Sequence, residues 1–367
     1  METPHADSDG SRLIRELAHL TALDAPTGFE EPVLQYVRDE LTVCCDNVEC
    51  DIRGNVYGFQ AGDSPAAPQV MLTAHADEIG FMITSVLADG HLRFTKLGQP
   101  TDQVLPGQRV RVLTHAEVLE GVIGVKPGHV LTAEAARQVP PLSELYIDVG
   151  ATSAEEVRNW GIEPGTPAVF VGPLMATRNS QRFFGKAVDN RMGVLAVLEC
   201  ARRLRSRPVR ANRAFVIVVE EEIGLRGAAV AAAHVQPDVV LAIDTVPAGG
   251  TPDLRPEELP WSIGKGPLIK VRETRGLSTH RPLRELIRQI AGTHEIPYQL
   301  IVDTAGITDG TSAQQAGSQI AAAVLGLARK YSHSAVEMFD LTDLCGLIDL
   351  SVHTVEALTD KTLLRRL

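Results

Sequence analysis

Apolar positions along the chain follow two rhythms, and the change between them divides the sequence. A helical period runs over Leu13–Leu20 and again through Val33, Tyr36, Val37 and Leu41, where Thr27 and Glu30 have the spacing of a capping box. Val48–Phe59 and Val70–His75 read as strands, the second a short apolar run that breaks into polar chemistry. Between residues 80 and 175 the pattern turns to short β-type pieces: Phe81–Val86, Arg109–Leu113, Gly121–Val125, Leu145–Val149 and Ala168–Val171, separated by Gly, Pro and Asp turns. From Asp189 onward, helical and strand patterns alternate. Arg191–Leu204, Arg226–Val235, His280–Ile290 and Leu341–Leu358 read as helices, and Phe215–Val219, Val239–Ile243, Gln299–Val302 and Ala321–Leu327 as strands.

The alternation predicts an α/β fold: a mostly central mixed sheet flanked by helices, with a smaller β-rich domain inserted into it. On this reading, residues 1–79 and 176–367 form one discontinuous catalytic domain, and residues 80–175 form the insertion. At 367 residues the chain is long enough for both. No internal repeat or low-complexity linker interrupts them.

Composition narrows the function classes. A formal net charge of -11 argues against a general nucleic-acid or anionic-membrane binder, since both depend on basic surface. The five cysteines, Cys44, Cys45, Cys50, Cys200 and Cys345, form no CxxC pair and no disulfide framework, which suits a reducing cytoplasm. The start METPHADSDG is polar and lacks the apolar stretch of a secretion signal, and no run of 18 apolar residues occurs, so neither secretion nor membrane spanning is expected.

Candidate chemistry gathers where apolar strands end. His75 and Asp77 follow Val70–Leu72, Glu220–Glu222 follow Phe215–Val219, and Asp244 follows Val239–Ile243. Asp189 opens the segment before a helix, and His333 lies in a late loop. Taken singly, each has an ordinary reading: an Asp after a strand is commonly a turn former or cap, and three Glu in a row can be a solvated turn. Together they are more informative, because ligands in α/β sheets collect at the carboxyl ends of strands. Three adjacent carboxylates resist ionising together unless a positive charge faces them. Imidazole mixed with carboxylate suits Zn²⁺, Co²⁺ or Mn²⁺ better than a sulfur-selecting site or an all-oxygen Ca²⁺ cage. By themselves the residues lead to a metallohydrolase.

An ordered set of segments goes further: HADEIGFMI at 75–83, GVIGVKPGH at 121–129, LSELYIDVGA at 142–151, GKAVDNRMG at 185–193, VVEEEIGLRGA at 218–228, AIDT at 242–245, GKGPLI at 264–269 and YSHS at 331–334. Through nearly the whole chain this set resembles the M42 family of metallo-aminopeptidases. The resemblance implies two divalent metal ions, Zn²⁺ or Co²⁺ with Mn²⁺ as a third candidate. His75 and Asp244 would be private to one ion, Glu222 and His333 to the other, and Asp189 would bridge them. Glu221 matches the family's general base. Asp77 would fix the ring of His75, while Glu220 stands in a position more often held by Gln.

The expected substrates are short peptides with a free N-terminus, an acidic first residue being the preference suggested by family labels. The expected assembly is a homo-oligomer of the tetrahedral dodecamer type, and the expected location is the cytoplasm. A related deacylase of N-acyl amino acids or small amides is the alternative activity, and a noncatalytic assembly subunit a more distant one. Three positions depart from the family pattern: Ile307–Gly310, Lys330 and Gly128. None removes a proposed ligand or the proposed base.

Overall fold

Residues 9–366, apart from 65, 275, 305 and 318, are described by a computed structural model of the chain. Most of the polar start METPHADSDG lies outside the described residues.

The main sheet has eight strands. In spatial order they are Asn47–Cys50, Val56–Gln60, Asn212–Val218, Gln69–His75, Val239–Pro247, Ala321–Arg329, Leu268–Arg272 and Gln299–Val302. Its middle consists of four parallel strands: Asn212–Val218 pairs with Gln69–His75, which pairs with Val239–Pro247, which pairs with Ala321–Arg329. Val218 lies opposite His75 and Asp244 opposite Gly326, so the carboxyl ends of these strands finish side by side. Antiparallel partners at Val56–Gln60 and Leu268–Arg272 flank the parallel group and make the sheet mixed.

Continuous apolar runs in the four central strands follow from burial on both faces. One face carries the helices Asp9–Ala22, Glu31–Cys44, Val188–Arg205, Arg281–Thr293 and Leu341–Ala357, packed through Leu13, Leu17, Val37, Leu195, Leu198, Leu347 and their neighbours. The other face carries Arg226–Val235 and Asp309–Gln315, whose small side chains Ala228, Ala231, Ala232 and Ala313 let them lie close against Met71, Val216 and Val240. The predicted α/β class is therefore the observed one.

Six strands, in the order Gly80–Val86, Leu92–Leu97, Tyr146–Asp148, Val118–Gly124, Arg109–Leu113 and Pro167–Phe170, close into an antiparallel barrel. The barrel has its own core, with Phe94 and Phe170 packed edge-on against Phe81. Closure leaves none of its strands with an open edge.

The structure corrects the sequence reading in three places. Val48–Phe59 is two strands rather than one, because Asp51 Oδ1 accepts the backbone N–H groups of Arg53, Gly54 and Asn55 and turns the chain into a hairpin. Thr27 and Glu30 do not form a capping box: Glu30 itself is the N-cap residue, and the Thr27 hydroxyl donates to Asp77 Oδ2 at 2.8 Å. Leu92–Leu97, Leu268–Arg272 and the small sheet of Met175–Ala176, Arg182–Gly185 and Glu337–Asp340 were not expected as strands. No described helix is long and apolar enough to cross a membrane.

Candidate metal centre

All six residues implicated by sequence as metal ligands or base meet at the carboxyl edge of the four parallel strands. His75 is the last residue of its strand, and Asp244 sits within Val239–Pro247. Glu221 and Glu222 follow Asn212–Val218 through a turn in which Glu220 takes a positive φ. Asp189 lies in the first turn of Val188–Arg205, where its own backbone and that of Asn190 are non-helical, and His333 follows Ala321–Arg329 in a loop. Two donor groups result: His75, Glu221 and Asp244, and Asp189, Glu222 and His333, the ligand atoms of each lying within 4.8 Å of one another.

Asp189 stands between the two histidines. Its Oδ1 is 3.3 Å from His75 Nε2, and its Oδ2 is 3.5 Å from His333 Nε2. Asp244 Oδ1 lies 3.5 Å from His75 Nε2, and Glu222 Oε1 lies 3.8 Å from His333 Nε2. Glu221 Oε2 is 4.0 Å from His75 Nε2, which places it beside the first group, within reach of either a ligand's role or a base's.

Both imidazoles are held by their far nitrogen. His75 Nδ1 faces the Asp77 carbonyl at 3.2 Å and its Oδ1 at 3.4 Å, and His333 Nδ1 faces the Gln99 carbonyl at 2.9 Å. With Nδ1–H donating to these oxygens, each Nε2 is presented to Asp189, the ring orientation typical of metal-binding histidines. Asp77 does a second job: its two oxygens accept the backbone N–H groups of Glu221 and Glu222, each at 3.1 Å. The ring of His75 and the acidic turn are thus set by one buried carboxylate. Glu220 points elsewhere, to Arg53 Nη1 at 2.8 Å.

The electrostatics show a site overloaded with acid. Burial drives Glu221 well above the carboxylate range; His75 opposes the rise while Asp244, Glu222 and Asp309 add to it. Burial likewise pushes Glu222 up to about 8, with Asp189 contributing and His333 opposing. Burial alone would lower His75, but Glu221, Asp189, Asp244 and Asp77 hold it well above its ordinary value. Asp189 resists its burial because Arg329, His333 and His75 keep it well below the usual range. The donor set fits divalent ions on a direct test: Asp189 Oδ1 is buried and has no hydrogen-bond partner in the protein.

Sequence reasoning missed three contributors. Arg329 is buried, bonds Asp189 Oδ2, and also reaches Glu337 Oε1 at 2.5 Å and Thr245 Oγ1 at 2.5 Å. Its neighbour Lys330, the residue singled out by comparison of motifs, faces outward to the Gly250 carbonyl at 2.7 Å. Strand alternation was the available signal, since only one of two consecutive residues can face the site. Glu337 anchors the loop by accepting the N–H groups of Asp189 at 3.0 Å and His333 at 2.8 Å. Asp309, in the segment that departs from the family pattern, is buried with neither carboxylate oxygen hydrogen-bonded; burial pushes it up to about 8, His75 opposing and Asp244 and Asp77 adding.

A mixed sheet whose parallel strands deliver two imidazoles and four carboxylates to one edge defines a metallohydrolase-type centre, and comparison with known proteins gives its class. The family model described as M42 glutamyl aminopeptidase matches residues 54–350, and the chain belongs to this family of peptide hydrolases. It is 34% identical over 338 residues to the lysyl aminopeptidase of Pyrococcus furiosus, covering 90% of this chain and 93% of that one. Among solved structures it is similar to aminopeptidase APDkam598 from the archaeon Desulfurococcus kamchatkensis, with a TM-score of 0.92, 36% identity and 97% of each chain covered. The Pyrococcus horikoshii TET1 peptidase, described as assembling into a tetrahedron or a large octahedral shell, matches with a TM-score of 0.82 and 31% identity over 93% of this chain and 98% of that one.

Proposed function

We propose that the chain is a dinuclear metal-dependent aminopeptidase that releases the first residue from short peptides with a free N-terminus. The observation that carries this reading is the Asp189 carboxylate, set between two oriented imidazoles with one of its oxygens left unbonded. On this reading His75 and Asp244 hold one ion, Glu222 and His333 hold the second, and Asp189 serves both. Zn²⁺ and Co²⁺ lead as candidates and Mn²⁺ follows, since nitrogen and carboxylate donors suit all three.

Two divalent ions, when bound, lower the pKa of water and polarise the scissile carbonyl. The protein supplies the proton traffic. Glu221 takes a proton from the attacking water on a carboxylate oxygen as the new C–O bond forms, then delivers it to the departing amine nitrogen as the C–N bond breaks. Asp77 keeps His75 and the Glu220–Glu222 turn in place throughout.

We also assign residues 80–175 to an inserted β-rich domain on a catalytic domain formed by 1–79 and 176–367. A homo-oligomer of the tetrahedral dodecamer type is the assembly proposed, supported by likeness to the TET1 peptidase. Five cysteines without a disulfide among them support a reducing, cytoplasmic location.

The test compares aminoacyl p-nitroanilides and short peptides, free and N-acetylated, before and after chelation and after return of Zn²⁺, Co²⁺ or Mn²⁺. Hydrolysis of free substrates should vanish on chelation and return with metal. Cleavage of acetylated but not free substrates would replace this reading with the deacylase.

A further inference from the structure

The metal centre opens into a cavity of about 780 Å³ that continues past the ligands toward Thr245–Pro247, Leu259, Trp261 and Gly306–Thr308. From this lining we propose that the first residue of the substrate is neutral and apolar, of the leucine, methionine or phenylalanine class, rather than acidic or basic. The proposal rests on the aminopeptidase reading of the same site.

The apolar part of the wall beyond the metal residues is made by Ile223, Leu225, Val246, Leu259, Trp261 and Ile307. Trp261 offers no free polar edge, since Nε1–H donates to the Pro247 carbonyl at 2.7 Å, and its largely buried ring backs the wall from the core. Ile307 and Ile223 are the exposed members of this wall and present hydrocarbon to the cavity, while Trp261 and Val246 are buried behind it.

The charged groups on the same cavity are already engaged. Lys270 is buried, with Nζ 2.9 Å from Glu273 Oε1 and 3.0 Å from Asp303 Oδ2. Asp303 has both oxygens occupied, since Oδ1 accepts the Gly306 N–H at 3.0 Å. Arg329 is bound by Asp189 and Glu337. Lys96 pairs with Asp102 at the rim, where water screens its charge. An acidic side chain entering here would lose its water without gaining a free cation, and a basic one would find no free carboxylate on this wall. A leucine-like side chain loses nothing polar and covers the hydrocarbon.

The full chain, reconstituted with Co²⁺, is assayed on Leu-, Met-, Phe-, Glu- and Lys-p-nitroanilide. The apolar substrates should exceed Glu and Lys by at least about tenfold in kcat/KM, the scale on which pocket contacts discriminate side chains. Glu or Lys equal to or above the apolar set would overturn the proposal while leaving the aminopeptidase reading intact. If no free substrate is cleaved, the aminopeptidase reading fails, and calorimetry of the Co²⁺ protein with free L-leucine, L-glutamate and L-lysine decides instead: leucine tightest supports an apolar pocket, and either of the others tightest overturns it. Ile307→Lys, at a half-exposed position, should raise the Glu-to-Leu ratio of kcat/KM by about tenfold. An unmoved ratio removes Ile307 from the wall and overturns the proposal as stated.

Discussion

Asp77 and Glu78 are neighbours in the chain and both are buried, yet their carboxylates belong to opposite kinds of cluster. Glu78 meets Lys186 Nζ at 2.8 Å through both oxygens, and its Oε1 also accepts the Ala25 N–H at 3.1 Å and lies 3.4 Å from Arg191 Nη2. Asp24 joins Lys186 at 3.1 Å and Arg111 at 2.7 Å. Arg191 fills its remaining donors with the carbonyls of Leu20, Leu23 and Ala76. Every charge there has a protein partner. Asp77 belongs to the centre of His75, Asp189, Glu221, Glu222, Asp244 and His333, where carboxylates outnumber cations and Asp189 Oδ1, beside His75 Nε2 at 3.3 Å, accepts no hydrogen bond. Burial of charge is common to both clusters, so burial is not what marks the site. The mark is imbalance, since an excess of buried negative charge with an unfilled acceptor calls for a cation from outside.

If the comparison holds, substitutions in the two clusters act in opposite directions. Lys186→Met, which removes the buried cation shared by Glu78 and Asp24 and leaves them only Arg191 and Arg111, should destabilise the protein by about 3 kcal/mol, read as a shift in urea midpoint. Glu222→Gln should stabilise the metal-free protein. The folded state holds the Glu222 proton up to about 8, whereas an unfolded chain releases it near 4.5, so wild-type stability falls as pH rises between these values. Below 4.5 both states carry the proton and the variant gains nothing; by pH 8 its advantage should be on the order of 2–4 kcal/mol. The same substitution should weaken metal uptake. A destabilised metal-free Glu222→Gln at pH 8 would show that the acidic cluster is balanced from within. The smallest effect belongs to Glu220→Ala, which removes a partly exposed pair with Arg53: less than about 1 kcal/mol in stability and less than about tenfold in turnover. A collapse of activity there would put all three carboxylates of the triplet in the chemistry.

Much of this geometry was legible in the sequence, for a physical reason. A strand buried on both faces is nearly all apolar, so His75, Glu220–Glu222 and Asp244 stand out as the first ionisable residues where those runs end. Parallel pairing then aligns the ends, and the residues converge without any local signal linking them. What the sequence hid were residues whose role depends on direction. Thr27 has the spacing of a cap, but its hydroxyl is drawn to Asp77. Arg329 and Lys330 look interchangeable in a string of letters, while the strand turns one toward Asp189 and the other to solvent. The strand Leu268–Arg272, second from the sheet edge, is short and carries Lys270 inward to Glu273 and Asp303, so its polar pattern does not announce a strand. Hairpin turns such as Asp51–Asn55 depend on which backbone N–H groups a side chain captures, which spacing alone did not reveal.

The central claim is that five side chains hold two ions while Glu221 remains free to move a proton. Metal content per chain, measured by mass spectrometry on wild type and Glu221→Gln after Co²⁺ or Zn²⁺ loading and desalting, tests it most directly alongside turnover of a free aminoacyl p-nitroanilide. The account predicts two ions per chain in both proteins, with turnover of the variant lower by about 10²–10⁴. A variant that loses an ion would make Glu221 a ligand, and one that keeps both ions with undiminished turnover would contradict its role as the base.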